Sequence, residues 1–169
     1  LYADRIADAH ASFESAAALY RASWEAAPPR SFGRLVAFVK SATLAGEPEF
    51  AAAYVREALG GACDSPTSCY ALAIAALIED DDAMAARAAV AMTEGDAAFL
   101  RAAEALAALA ARDRGGYARA VAAIVADFEG REQHLTGVAV ADTALLMEAL
   151  AERRDMAVRP PSELLPDTV

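Results

Sequence analysis

Ser65-Pro66-Thr67-Ser68-Cys69-Tyr70-Ala71-Leu72-Ala73-Ile74-Ala75-Ala76-Leu77-Ile78-Glu79-Asp80-Asp81-Asp82 is the stretch whose reading decides the fold. A serine hydroxyl can accept from the free N–H groups of a first helical turn. Proline is at home in the position that follows, where no N–H is needed. Tyr70, Leu72, Ile74, Leu77 and Ile78 then give a helix an apolar surface. The run Glu79 to Asp82 turns the chain. Its aspartates can cap the next helix, whose positive N-terminal end suits their charge.

The same punctuation recurs outward in both directions. Upstream, Ile6, Phe13, Tyr20 and Trp24 form one stripe on a helix from about Ala3 to Ala27, which Pro28 and Pro29 stop. Ser31 is the expected cap of a second helix carrying Leu35, Val36, Phe38, Val39 and Leu44, ended by Gly46. Pro48 fits the first turn of a third helix, with Phe50, Tyr54, Val55 and Leu59, which stops at Gly60-Gly61. Downstream, helix five carries Met84, Val90 and Met92 and ends near Gly95. Asp96 can cap helix six, with Phe99, Leu100, Leu106 and Leu109. Gly115-Gly116 separates it from helix seven, with Tyr117, Val121, Ile124, Val125 and Phe128. A last helix runs from about Val140 to Arg154. The tail from Met156 to Val169, with Pro160, Pro161 and Pro166, should be extended, and Leu164 and Leu165 can pin it to the body. No segment alternates in the manner of a strand; Val138 and Val140 do so too briefly. The expectation is a single all-α domain over residues 1–155, with at least seven helices, no sheet and an extended tail over 156–169.

Phe50, Met84 and Tyr117 occupy the same place near the start of helices three, five and seven, about 34 residues apart, the length of a tetratricopeptide repeat. One such hairpin cannot bury its own apolar face, so neighbours stack on it. The glycine and proline positions usual for that repeat are mostly absent. Two arrangements follow: antiparallel hairpins stacked as a short right-handed tetratricopeptide-like array, or an irregular helical bundle.

Hydrophobic residues make up 57% of the 169, which excludes general disorder. Net charge is -10. That sign repels phosphate backbones and anionic membrane faces, so neither nucleic acid nor membrane is an expected partner. A basic protein is compatible with it. No stretch reaches the roughly twenty apolar residues of a membrane span. The chain opens at Leu1 without a signal-like segment, so a native N-terminal segment is expected to precede it, and cytoplasm is the expected location.

Candidate chemistry is sparse. His134 has Glu132 two positions away, on a different helix face, and no evident nucleophile. His10 has Glu14 four positions on and reads as a surface pair. Cys63 and Cys69 miss the C-x-x-C spacing of redox and zinc sites. A disulfide between them is not expected in a reducing compartment, and Cys69 reads as a small buried residue. Glu79, Asp80, Asp81 and Asp82 lack the spaced ligands and central glycine of a calcium loop, but offer an acidic surface to a partner. Trp24 and Tyr20 are expected in the core. No enzyme activity, metal or cofactor is expected.

Two stretches carry a family resemblance. One is Ala107-Ala108-Leu109-Ala110-Ala111-Arg112-Asp113-Arg114-Gly115-Gly116-Tyr117, leading through Ala120-Val121 to His134. The other is Leu145 to Leu150, Ala151-Glu152-Arg153-Arg154-Asp155-Met156-Ala157-Val158, and Ser162-Glu163-Leu164-Leu165-Pro166. Over this last third the chain resembles the immunity protein 49 family, all-α partners encoded beside bacterial polymorphic toxins. Where that family often has glycine after the arginine, this chain has Asp155. The resemblance implies a non-enzymatic binding protein that covers a cognate toxin, and it transfers no site residue; the acidic balance of the chain favours a basic one. The alternatives are a repeat scaffold or regulatory module, and a helical small-ligand protein or enzyme.

Overall fold

The computed structural model describes residues 2–133 and 140–166, with side chains from residue 8 onward. Eight helices occur among them: α1 (Tyr2–Glu25), α2 (Phe32–Leu44), α3 (Pro48–Leu59), α4 (Pro66–Ile78), α5 (Asp82–Met92), α6 (Ala97–Ala110), α7 (Arg114–Glu129) and α8 (Asp142–Glu152). No strand is present among the described residues. The all-α expectation therefore holds.

Local chemistry explains most boundaries. Ser65 Oγ accepts from Ser68 N–H, and Ser68 Oγ accepts in return from Ser65 N–H, a capping box with Pro66 in the first turn. Asp81 caps α5 through Met84 N–H, Asp96 caps α6 through Ala98 and Phe99, and Asp113 caps α7 through Gly116. Ser31 departs from expectation. It holds the cap position of α2, but its hydroxyl donates to the Pro28 carbonyl at 2.8 Å and bonds no helical N–H. Gly115 and Gly116 also differ from the expected linker, since they lie in the first turn of α7. A Cβ on Gly116 would come within 2.4 Å of an Asp113 carboxylate oxygen, so glycine is what lets the cap approach.

The even-numbered helices share one ending. Gly46, Asp80, Arg112 and Asp155 have φ of 84°, 58°, 55° and 55°. In each case this left-handed residue donates back to a carbonyl three residues earlier. The next residue donates to one five earlier: Glu47 to Ala42, Asp81 to Ala76, Asp113 to Ala108 and Met156 to Ala151. This is the Schellman termination. In the first three, the residue that closes it is also the cap position of the following helix. The repeat is thus a repeated turn. The marker side chains occupy equivalent places but unequal environments: Tyr117 is fully buried, whereas Phe50 is 48% exposed.

Packing separates two layers. Helices α2, α4, α6 and α8 touch in succession, and α8 returns to contact α2 and α4. Helices α1, α3, α5 and α7 pack on this inner set with no close backbone approach to one another. In α4, buried on nearly all sides, Ala71, Ala73, Ala75 and Ala76 are buried. Small side chains there let the surrounding axes come close. Phe38, Leu72, Leu77, Leu106, Leu146 and Met147 fill the space between. The tail joins the same core through Met156 and Leu165, and Ala141 N–H donates to the Leu164 carbonyl, so the pinning expected of those leucines is present. Helix α1 is the exception. Its backbone packs on α2 alone, and Ala17 is its one buried residue among the described side chains. Tyr20, expected in the core, is 39% exposed, while Trp24 is half-buried against Phe32 with ring centroids 5.8 Å apart. The side chain of Ile6 falls outside the described ones.

Candidate functional site: an arginine-bound acidic turn and an outer aromatic patch

The α4–α5 turn places Glu79, Asp80, Asp81 and Asp82 where the C-terminal ends of the inner helices converge. The aligned carbonyls of helix ends carry partial negative charge, and four carboxylates add to it. Arginines from three other elements answer this. Arg56 of α3 reaches Glu79 at 2.6 Å and Asp81 at 3.0 Å. Arg154, just past α8, donates to Asp82, to Asp80 at 3.3 Å and to the Leu77 carbonyl at 2.9 Å, with the Leu109 carbonyl at 3.5 Å. Its side chain is 1% exposed, and its Nε has no hydrogen-bond partner. Arg112 stands 3.6 Å from both Asp80 and Asp82. Beside this cluster, Arg153 joins Glu49 at 2.7 Å and the Ile78 carbonyl. Asp81 is held below the usual carboxylate range, first by the Met84 N–H and then by Arg56. The acidic run therefore neutralises arginines of its own chain. Asp80 remains the most open of the four, at 72% side-chain exposure.

A second polar cluster closes the α2–α8 contact. Lys40, the only lysine, is 14% exposed and donates to Asp142 at 2.6 Å and Thr143 at 3.1 Å. Burial alone would lower its pKa, but the Tyr70 and Asp142 side chains beside it hold it above its ordinary value. The Tyr70 hydroxyl lies buried without a hydrogen bond.

His10 is exposed and lines a cleft of about 160 Å³ with Thr43, Glu148, Glu152 and Arg159. Thr43 Oγ1 donates to the Val39 carbonyl, and Glu148 is held by Arg159 at 2.8 Å. Neither stands as a free nucleophile or base. His134 and Val138 lie outside the described residues. No group of histidine, cysteine and carboxylate side chains fit to hold a metal is found among the described residues.

The cysteines correct an expectation: Cys63 and Cys69 form a disulfide. The linker after α3 folds back over the first turn of α4 and brings the two sulfurs together across the capping box. Cys69 is buried, as expected, at 2% exposure.

Between α1 and α3 lies an aromatic patch that the sequence did not single out. Phe50 stands edge-on to the buried Phe38 at 6.2 Å and beneath the Arg21 guanidinium, 5.7 Å from its ring centre. Tyr54 packs on the same Phe38 ring at 5.0 Å and donates to Glu25 at 3.0 Å. Two exposed carboxylates lie beside Tyr54, Glu25 of α1 and Glu57 of α3.

These features define an all-α protein of stacked helical hairpins. No family model, curated protein or solved structure matches the chain. No helix among the described residues is long and apolar enough to cross a membrane.

Proposed function

We propose that this is a non-enzymatic protein-binding module, and that its outer face over α1 and α3 docks a basic partner. The observation that carries the reading is Phe50: a large aromatic ring, 48% exposed, beside Tyr54, which Glu25 and Glu57 approach. Aromatic anchors surrounded by charge suit an interface of apolar centre and polar rim. The partner chemistry that fits is an amphipathic helix bearing apolar anchors and flanking lysine or arginine. Net charge of -10 would steer such a partner toward the protein.

Glu79 to Asp82 serve the fold in this reading, with partner contact placed on α1 and α3. The likeness of the last third to the immunity protein 49 family supports a particular partner, a basic toxin that the protein neutralises by covering it. Calorimetric titration against the product of the adjacent gene tests this. The expected result is a stoichiometric complex at micromolar concentration or tighter, weakened at least tenfold by Phe50→Asp. No complex at that concentration, or a complex indifferent to Phe50→Asp, counts against it.

A further inference from the structure

The Cys63–Cys69 bond has a setting that a purely structural crosslink does not require. It closes a short loop that contains the Ser65–Ser68 capping box, with Pro66 in the first turn of α4. Asp64 N–H donates to Ser68 Oγ within the same loop, and the Asp64 carboxylate pairs with Arg30 of the α1–α2 turn. The start of α4 is therefore held by hydrogen bonds independent of the disulfide. A loop this short also gains less from crosslinking than a long one does. The two sulfurs differ in access. Cys69 is 2% exposed in the first turn of α4. Cys63 is half-buried and lines an open cleft of about 270 Å³ with Phe32, Ala58, Leu59 and Ala62. The linker that carries Cys63 begins with Gly60 and Gly61, both left-handed at φ of 61° and 74°, a conformation that permits rearrangement without a side-chain clash.

We propose that this disulfide is a redox switch operated in the folded protein through Cys63. A small thiolate attacks Cys63 Sγ from the cleft. The Cys63–Cys69 bond breaks, a mixed disulfide forms on Cys63, and Cys69 leaves as a thiolate at the N-terminal end of α4, where the helix dipole favours negative charge. A second thiolate attacks the mixed disulfide, releasing Cys63 as a thiolate and the two small thiols as their disulfide. Two electrons pass from the thiols to the protein, and solvent protonates the sulfurs. The turn over residues 60–64 is freed while α4 stays capped, which uncovers the cleft floor at Phe32 and Leu59.

The test uses the whole protein in native buffer with glutathione, read by mass spectrometry after acid quench and by hydrogen exchange. The expected result is full reduction without denaturant, unchanged helicity, and at least tenfold faster exchange over residues 60–64 with Leu72 to Leu77 unchanged. Oxidised glutathione added to Cys69→Ala should modify Cys63 at least tenfold faster than it modifies Cys69 in Cys63→Ala. A bond that resists glutathione until the protein unfolds overturns the proposal. So does reduction that loosens α4 as a whole, or equal reactivity of the two cysteines.

Discussion

The Nη2 of Arg154 lies 2.9 Å from the carbonyl oxygen of Leu77, joining the end of α8 to the end of α4 across 77 residues of sequence. The same guanidinium reaches Asp82 at the start of α5 and approaches the Leu109 carbonyl at the end of α6. A buried cation is tolerated only where opposite charge and hydrogen bonds replace water. Here helix-end carbonyls and the acidic turn supply both.

The shared left-handed ending yields opposite predictions for two positions. Gly46 sits at φ 84°, so Gly46→Ala places a Cβ in a strained conformation and should cost about 1 kcal/mol. Asp155 is exposed and already strained at φ 55°, so Asp155→Gly should raise stability by about 0.5–1 kcal/mol. Urea unfolding midpoints of the two variants against the parent check both signs.

Stability should fall at both ends of the pH scale. Asp81, Glu49 and Asp127 are held below the usual carboxylate range. For Asp81 the Met84 N–H is the main cause, and for Glu49 its own backbone N–H. For Asp127 burial pushes upward, and Arg131 and Arg101 more than reverse it. Groups depressed on folding stabilise above their unfolded pKa of about 4, and that contribution is lost as pH drops through the folded values. On the alkaline side, Lys40 is raised above 10.5, and burial raises Tyr70 and Tyr117 above 10.0. Their contributions are complete below the unfolded values and vanish as pH climbs through the folded ones. Thermal unfolding from pH 3 to pH 11 should show a plateau from about pH 5 to 9. A midpoint still rising below pH 4 would contradict this.

Ser65→Ala removes the acceptor for Ser68 N–H and breaks the reciprocal cap of the most buried helix. The expected loss is about 1 kcal/mol, measured by urea denaturation with the disulfide intact. A loss of only a few tenths would mean that Pro66 and the crosslink alone define that end.

The helices were legible because their signals are local. Ser65-Pro66, Asp81 and Asp96 mark caps by residue type, and Gly46 marks an end by its conformational freedom. The three other left-handed endings were not readable as such, since aspartate and arginine carry no such signal. The acidic run was visible, but its partners were not. Arg56 and Arg154 are far from it in sequence, and only the return of α8 onto α2 and α4 brings Arg154 there. The disulfide is not legible because a six-residue spacing does not say that two sulfurs meet; the fold-back of the linker after α3 over the first turn of α4 brings them together. Tyr20 lies in an apolar stripe and reads as core, yet α1 is an outer helix with a face no neighbour covers.

The most direct test of the acidic turn as a structural hub is a double-mutant cycle on Arg154→Met and Asp82→Asn, read as unfolding free energies in urea. Arg154→Met alone should cost about 3 kcal/mol, because helix-end carbonyls and carboxylates lose a buried donor. Asp82 is 38% exposed, so solvent screening keeps its own loss smaller. The prediction is a coupling energy of at least about 1 kcal/mol between the two positions. Additive losses within about 0.3 kcal/mol, or an Arg154→Met variant as stable as the parent, would contradict it.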